Sequence, residues 1–257
     1  MPVGIDANRV RRAVVLAAGR GTRLGHHTAA CPKPLLDVAG RPLLEWILLG
    51  LRGAGVAEAI IVIGYLGEQI RERFADGAPL GLRLAYAVQE KPNGTGAAFL
   101  LGREFAGTEP VFMSFGDILT DFGHYAAVAD DYAASPCAAV MGINPMEDVR
   151  AGASVVREGR RVIGIVEKPD RRGPLRGWNQ AGVSIFGPQI WPILANQGPS
   201  ARGEIELTEG LAAMIAQGET VRAVEFNGYW SDIGTPDALD EARVRWGSDC
   251  AIKEDVG

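Results

Sequence analysis

The stretch Ala13-Val-Val-Leu-Ala-Ala-Gly-Arg-Gly-Thr-Arg-Leu24 joins a short apolar run to a turn that is rich in glycine. The apolar run, residues 13–18, has the length of a buried strand and is too short for a signal peptide core or a membrane span. Backbone N–H groups of such a turn can approach phosphate oxygens closely, because Gly19 and Gly21 carry no Cβ atom. The stretch therefore predicts the first strand of an α/β sheet, followed by a phosphate-binding loop.

Two common phosphate loops fit this turn poorly. A dinucleotide-binding fingerprint needs a third small residue three positions after Gly21, and that position is Leu24. The lysine loop of nucleoside triphosphatases needs Gly-Lys-Ser or Gly-Lys-Thr, which the sequence lacks. A dinucleotide-dependent oxidoreductase is therefore disfavoured, and NAD binding without triphosphate binding would revive it.

Outward from this stretch, short apolar runs alternate with helical patterns. Strands are predicted at residues 13–18, 59–63, 82–88 and 111–115, and helices at residues 43–51, 68–74 and 97–103. This alternation predicts right-handed βαβ units and a mostly parallel sheet with helices on both faces. The second half predicts short strands at residues 138–143, 154–156, 162–166 and 183–186, with helices at 207–216 and 236–245. Gly, Pro and charged turns between those strands indicate antiparallel additions to a single domain, residues 1–257.

The overall composition excludes several classes of protein. Of the 257 residues 47% are hydrophobic, which favours a packed core over disorder. The net charge of −5 argues against a general binder of nucleic acid or of anionic membranes. The start, residues 1–12, is polar and gives no signal-peptide pattern. Cys31, Cys137 and Cys250 lack the spacing of a disulfide framework or a zinc site, so a cytoplasmic protein is expected.

A second element, Pro32-Lys33-Pro34, follows Thr28 a short distance after the glycine turn. The two prolines fix the backbone on both sides of the lysine, which can then direct its ammonium at the same phosphates. Together with Gly19-x-Gly-Thr-Arg-Leu24, at this spacing, these residues resemble the signature of the nucleotidyltransferases that activate sugar 1-phosphates. That family includes thymidylyl-, uridylyl-, guanylyl- and cytidylyltransferases. The resemblance covers nearly the whole chain.

The resemblance implies a Rossmann-like mixed, mostly parallel sheet with helices on both faces, a small antiparallel sugar-binding subregion, and Mg²⁺ as cofactor. Residues 1–120 would form mainly the nucleotide-binding half and residues 121–257 mainly the sugar-phosphate-binding half. It assigns Arg23 to the leaving pyrophosphate and the α-phosphate, and Lys33 to the reacting phosphates. The nucleotide-binding residues it implies are Leu16, Ala18, Gly19, Gly21, Thr22, Gln89, Gly94 and Thr95. The amide of Gln89 offers a donor and an acceptor, which matches the imide edge of uracil or thymine.

Two aspartates are candidates for the metal. Asp117 follows the run at residues 111–115, at the carboxyl end of a strand, where open α/β sheets place their ligands. Asp232 lies among aromatic and apolar residues, where a carboxylate is costly to bury unless its charge is offset. Each alone could equally serve a turn or a cap. As a pair they resemble the family's metal-binding carboxylates, and hard oxygen ligands suit Mg²⁺.

The resemblance also implies a sugar-phosphate site. Its residues are Gly152, Glu167, Lys168, Asn179, Gly182 and Arg202, with the glutamate on sugar hydroxyls and the two cations on the phosphate. Ala151 and Gln180 depart from relatives that select glucose 1-phosphate, where a tyrosine and an apolar residue are common. The sugar is therefore left open by the sequence.

The expected reaction needs no protein nucleophile. An oxygen of the sugar phosphate attacks the α-phosphorus in line, and pyrophosphate leaves, so cations and a metal must screen the repulsion between two anions. The expected partners are a nucleoside triphosphate, dTTP or UTP, and a hexose 1-phosphate, glucose 1-phosphate being favoured. A GTP-dependent mannose- or heptose-1-phosphate guanylyltransferase is the alternative, and a catalytically silent nucleotide-sugar-binding module is an alternative of another class. No nucleic acid and no membrane is expected, and homo-oligomer formation stays open.

Overall fold

The computed structural model describes residues 8–169 and 176–253, so residues 1–7 of the predicted polar start lie outside the described residues. The strands are β1 Arg12–Ala17, β2 Asp37–Val38, β3 Arg41–Pro42, β4 Glu58–Ile63, β5 Arg83–Val88, β6 Val111–Phe115, β7 Ile118–Thr120, β8 Ala139–Met146, β9 Ala153–Glu158, β10 Arg161–Glu167, β11 Gly177–Phe186, β12 Val221–Glu225 and β13 Trp230–Asp232. The α-helices are α1 Leu43–Gly53, α2 Gly67–Phe74, α3 Thr95–Leu100, α4 Arg103–Ala106, α5 Phe122–Ala134, α6 Ile190–Asn196, α7 Leu207–Ala216 and α8 Pro236–Lys253.

Nine of these strands form one mixed sheet in the order β5-β4-β1-β6-β11-β8-β12-β10-β9. The strands β5, β4, β1 and β6 are parallel, which confirms the βαβ pattern of the first half. Beyond β6 the sheet changes, because β11 runs antiparallel to both β6 and β8, and β10 runs antiparallel to β9 and β12. The antiparallel strands predicted for the second half are therefore present, but they form a larger part of the sheet than the small subregion that was predicted, and β12 runs parallel to β8 among them. The Rossmann-like, mostly parallel description holds for the first half only. Short turns such as that between β9 and β10 join antiparallel neighbours and need no crossover helix.

Residues of β1 alternate between two apolar cores, one on each face of the sheet. Val15 faces the core that also holds Leu44 and Ile47 of α1, with α2, α5 and α8 on the same side. Val14 faces the other core, together with side chains of α3, α6 and α7. Helices therefore cover both faces, as the sequence predicted. This double burial explains why the strand reads as an unbroken apolar run.

The sequence patterns missed several elements of the second half. Helices α5 and α6 and strand β12 were not predicted, and β11 begins at Gly177, where only residues 183–186 were predicted as strand. The polar start of β11 is held as strand by its ladder with β8 and β9. Short apolar periodicity does not report such pairing, because the partner strands are distant in sequence. Among the described residues, no helix is both long and apolar enough to cross a membrane.

The aromatic cluster in the core that Val14 faces offers a test of the packing. The Phe99 ring is fully buried, 4.7 Å from the Trp191 ring and 5.3 Å from the Phe186 ring, measured between centroids. We expect Phe99→Ala to lower the free energy of unfolding by about 3–5 kcal/mol, because it leaves a cavity between two rings. Leu101→Ala is the control, since that side chain is exposed. Denaturant unfolding followed by circular dichroism measures both, and a loss below about 1 kcal/mol for Phe99→Ala would contradict this packing.

Candidate active site

The glycine loop after β1 leads into a short 3-10 segment, Thr22–Thr28, and not into the α-helix that a strand-to-helix turn would give. Gly25, at φ 57° and ψ −123°, interrupts helical geometry inside this segment. Gly21 adopts φ 64°, and a Cβ atom there would lie 3.1 Å from the Thr28 side chain and 3.2 Å from Lys33 Cβ. Thr28 Oγ1 donates a hydrogen bond of 3.0 Å to the Gly21 carbonyl. The loop is therefore packed directly against the residues that follow it.

The other residues predicted to bind nucleotide near this loop differ in their exposure. A Cβ atom on Gly19 would meet no atom within 4 Å, so that side of the loop is free for a ligand. Thr22 begins the 3-10 segment. Leu16 is buried in β1, and its carbonyl accepts a hydrogen bond of 2.8 Å from the Gly116 N–H. Ala18, the first residue after β1, is partly buried.

Lys33 is the centre of the site. It lies between Pro32 and Pro34 at the start of a 3-10 turn, and only 5% of the residue is exposed. Its Nζ lies 2.6 Å from Asp117 Oδ2 and 3.2 Å from Asp232 Oδ1. A buried ammonium is stable only when paired, so these two carboxylates are what allows Lys33 to be buried.

The two aspartates are brought together by a separate ladder of two short strands. β7 pairs antiparallel with β13, and Asp232 lies opposite Ile118, the residue after Asp117. The Ile233 N–H also donates a hydrogen bond of 3.0 Å to the Asp117 carbonyl. The predicted metal-binding pair therefore converges, although 115 positions separate the two residues in the numbering of the chain (232 − 117).

Two cations and two carboxylates balance each other at this centre, and three of the four side chains are partly exposed to solvent. Arg23 is the second cation, with NH2 3.5 Å from Asp232 Oδ2 and a side chain that is 68% exposed. The carboxylates of Asp117 and Asp232 are 38% and 40% exposed. Two of the three Lys33 ammonium N–H groups suffice for the carboxylates, so one remains for another acceptor. Burial also raises the pKa of the nearby Cys31 thiol, which keeps it protonated and unsuited to act as a nucleophile.

A divalent metal fits the two carboxylates by charge and by type of ligand. Mg²⁺ is usually held by one or two carboxylates, with phosphate and water in the remaining positions. Within residues 8–169 and 176–253, no group of three or more His, Cys, Asp or Glu side chains is arranged to hold a metal by itself. Asp117 and Asp232 would therefore hold such an ion only together with groups that a substrate supplies.

A second part of the site is the turn at Gln89 and Gly94. Gln89 Nε2 donates to Asn93 Oδ1 at 3.0 Å and to the Gly94 carbonyl at 3.1 Å. Gly94 has φ 110°, and a Cβ atom there would lie 2.3 Å from the Ile205 carbonyl oxygen. Thr95 Oγ1 accepts a hydrogen bond of 3.1 Å from the Leu207 N–H. The predicted base-binding turn is thus fixed by the segment just before α7.

The predicted sugar-site residues Gly152, Lys168 and Asn179 form a tightly packed unit. Asn179 is 4% exposed. Its Oδ1 accepts a hydrogen bond of 3.2 Å from the Ala153 N–H, and its Nδ2 donates one of 3.1 Å to Asn144 Oδ1. The Lys168 N–H donates a hydrogen bond of 2.8 Å to the Gly152 carbonyl. The structure therefore places the Asn179 side chain inside this unit and not at its surface. From there it would hold the backbone of the pocket in place.

The remaining predicted sugar-site residues lie on both sides of this unit. Gly182 in β11 packs against Ile118, since a Cβ atom there would lie 2.3 Å from Ile118 Cδ1, and so it connects β11 to the strand beside Asp117. Glu167 Oε2 accepts a hydrogen bond of 2.9 Å from Thr208 Oγ1, and its Oε1 lies 3.5 Å from Arg202 NH2. The structure thus brings Glu167 and Arg202 together.

Glu206 is a residue of this site that the sequence analysis did not assign. Its carboxylate accepts hydrogen bonds from Arg202 Nε at 2.8 Å and from Arg202 NH2 at 2.5 Å. Its hydrogen bonds are the main cause of a raised pKa of the Arg202 guanidinium. The spacing of four residues between Arg202 and Glu206 was the available signal, but that spacing is common on protein surfaces.

Comparisons with known proteins identify the family of this chain. The family model described as nucleotidyl transferase matches residues 12–247. A glucose-1-phosphate thymidylyltransferase of Streptomyces griseus is 34% identical over 91% of this chain and 65% of its own length. A bifunctional protein GlmU of Methanococcus maripaludis strain C5 is 34% identical over 87% of this chain and 51% of its own length. The chain thus spans about half to two thirds of the length of these two relatives.

The fold has solved counterparts. A UDP-glucose pyrophosphorylase complexed with UDP-glucose superposes with a TM-score of 0.84 at 22% identity, over 93% of this chain and 99% of that one. At this identity the likeness shows the fold alone. It nevertheless includes the antiparallel second half, since nearly the whole of both chains is aligned.

The balance of charge at Lys33 yields a stability prediction. We expect the double substitution Asp117→Asn with Asp232→Asn to lower the free energy of unfolding by about 2 kcal/mol, because it leaves a buried ammonium without a negative partner. The partial exposure of both carboxylates keeps the loss at this lower end. Adding Lys33→Met should recover at least half of the loss.

Urea unfolding curves for the wild type and these two variants measure the differences. Asp130→Asn, which removes an exposed carboxylate on α5, serves as the control and should change little. An unchanged stability of the double variant, or no recovery with Lys33→Met, would show that the carboxylates do not stabilise the buried lysine.

Proposed function

The chain belongs to the nucleotidyl transferase family, and we propose that it transfers a nucleotidyl group from a nucleoside triphosphate to a sugar 1-phosphate, with release of pyrophosphate. The observation that carries this proposal is the convergence of Arg23 and Lys33 with Asp117 and Asp232 beside the glycine loop. Such a constellation suits a reaction between two phosphate anions, because it offers cations to both and a pair of oxygens to a metal.

The residues around the glycine loop would bind the triphosphate. Backbone N–H groups on the open side of Gly19 can bind phosphate oxygens, and Arg23 has an exposed guanidinium for the departing pyrophosphate. Lys33 would keep its contacts with the carboxylates and direct its remaining N–H at the reacting phosphate. Because Lys33 is held on both sides, it needs little reorganisation when charge develops, which favours stabilisation of the transition state.

Asp117 and Asp232 would hold Mg²⁺ between them and the phosphates. When bound, the ion would neutralise phosphate charge and orient the α-phosphate for in-line attack. Two carboxylates that already share one cation can accept a second cation, since each has further lone pairs facing solvent.

The sugar 1-phosphate would occupy the space near Glu167, Lys168 and Arg202. Lys168 Nζ lies 4.0 Å from Glu167 Oε1, so the acceptor for sugar hydroxyls and a cation for the phosphate are adjacent. The sugar phosphate oxygen is the nucleophile in this proposal. The protein therefore contributes orientation and charge and no covalent group.

We favour dTTP or UTP as the nucleotide and glucose 1-phosphate as the sugar. Support comes from the thymidylyltransferase among the relatives and from Gln89, whose Nε2 is used within its own turn but whose Oε1 could accept from the imide N–H. Gln180 stands where an apolar residue is common in relatives that select glucose 1-phosphate, and its buried Nε2 has no hydrogen-bond partner among the described residues. A GTP-dependent guanylyltransferase acting on mannose or heptose 1-phosphate is the alternative pair.

The silent binding module remains the alternative of another class. A module that only binds a nucleotide sugar needs base and sugar contacts but no second carboxylate beside a buried lysine. Maintaining Asp232 next to Asp117 requires the β7–β13 ladder and buries a charged group. This arrangement favours the enzyme over the silent module.

The deciding experiment measures pyrophosphate release with Mg²⁺ for each nucleoside triphosphate against a panel of sugar 1-phosphates. We expect release only when both substrates are present, with dTTP or UTP and glucose 1-phosphate as the fastest pair, and none after chelation of the metal. A faster rate with GTP and mannose 1-phosphate would replace the favoured pair. Nucleotide binding without release from any pair would support the silent module instead.

Arg23→Ala tests the role of the exposed cation. We expect turnover to fall by about 100-fold or more, because one charge-assisted contact that forms in the transition state is lost. Stability should stay within about 0.5 kcal/mol, since the side chain is exposed. Arg103→Ala, an exposed arginine of α4, is the matched control and should keep full activity. Wild-type turnover in the Arg23→Ala variant would remove this residue from the mechanism.

A further inference from the structure

Arg202 is held from the inside of the protein by a buried acid. Glu206 is 4% exposed, and both of its oxygens accept from the same edge of the Arg202 guanidinium, formed by Nε and NH2. Ser200 Oγ donates a hydrogen bond of 3.0 Å to Glu206 Oε1 and accepts one of 3.1 Å from the Arg202 N–H. Such a two-point contact fixes the plane of the guanidinium as well as its position.

The other edge of the guanidinium, formed by NH1 and NH2, is open at NH1. The Arg202 side chain is 39% exposed, and its NH1 has no hydrogen-bond partner among the described residues. Its NH2 also lies 3.5 Å from Glu167 Oε1, whose carboxylate is partly exposed. An arginine has five N–H donors, so the contacts with Glu206 leave donors for an anion on the side of Glu167.

The segment that carries Arg202 and Glu206 is hydrogen-bonded through Ile205 to the turn at Gly94. The Ile205 N–H donates to the Asn93 carbonyl at 2.9 Å, and the Ile205 carbonyl accepts from the Gly96 N–H at 2.8 Å. Glu206 therefore follows a residue whose backbone is hydrogen-bonded on both sides. This anchoring gives the Glu206 carboxylate a defined position from which to orient the long side chain of Arg202.

We propose that Glu206 is a positioning residue, which presents the open edge of Arg202 to the phosphate of the sugar 1-phosphate. This inference rests on the proposed function, and it assigns the residue's effect to binding of the sugar phosphate and not to the nucleotide. Without Glu206, Arg202 would sample several rotamers, and its existing contact with Glu167 could become its main one, which would remove both groups from the substrate. The nucleotide side of the site would keep Arg23, Lys33 and the glycine loop unchanged.

Glu206→Gln tests the proposal, because it keeps the shape of the side chain but turns one acceptor oxygen into an NH2 group that faces an Arg202 donor. With dTTP and glucose 1-phosphate, we expect the KM for glucose 1-phosphate to rise about tenfold, the loss typical of one charge-assisted contact. The KM for dTTP should change less than about twofold, because the nucleotide contacts are untouched. Glu209→Gln, which removes an exposed carboxylate of the same helix, is the matched control and should behave as wild type.

A double-mutant cycle separates positioning from a general effect on folding. If Glu206 acts through Arg202, Glu206→Gln should change the KM for glucose 1-phosphate less than about twofold in an Arg202→Ala background. A tenfold rise in that background too, or an equal rise in both KM values, would overturn the proposal.

Calorimetric titration with glucose 1-phosphate provides a readout that does not need turnover. Wild-type binding that is about tenfold tighter than binding to Glu206→Gln would support the positioning role, and equal affinities would overturn it. Failure of the proposed function has a different signature, since wild-type protein would then release no pyrophosphate from any pair in the panel.

Discussion

The ammonium of Lys33 lies between the carboxylates of Asp117 and Asp232, and most of the site depends on this contact. A lysine that is 5% exposed must be paired, so the fold has to deliver two carboxylates to one point. One arrives at the carboxyl end of β6 and the other at the end of β13, and the β7–β13 ladder aligns them. The same contact also fixes the position of the glycine loop, because Gly21 packs against the aliphatic part of the Lys33 side chain.

Local charge balance would allow a chain with a net charge of −5 to bind the anionic substrates of the proposed reaction. At the first centre two cations face two carboxylates, and at the second Lys168 and Arg202 face Glu167 and Glu206. Each centre is close to neutral without substrate. The first has one exposed cation, Arg23, and the second has two, Lys168 and Arg202, that could turn to a phosphate. The mean charge of the surface therefore says little about the field at the site.

The two halves of the fold contribute different kinds of rigidity. The parallel half supplies strand ends at which loops meet, as open α/β sheets commonly do. The antiparallel half supplies β11, whose Gly182 packs against β7, and the segment before α7, which fixes Gly94 and carries Glu206. The turn predicted to bind the base and the segment of Arg202 and Glu206 are thus joined through Ile205. In the proposed reaction, this connection would hold both substrates in one frame.

The sequence by itself determined the first strand, the glycine loop and the alternation of strands and helices in the first half, because these depend on neighbours close along the chain. It also determined Lys33 and Asp117 as candidates, since prolines and a strand end mark them locally. Only the tertiary structure decided that Asp232 faces Asp117, that Asn179 is turned inward, and that Glu206 holds Arg202. The parallel pairing of β12 with β8 within the second half was likewise decided there. These features come from pairings between distant segments, whose energies arise from packing and burial and leave no periodic pattern in the sequence.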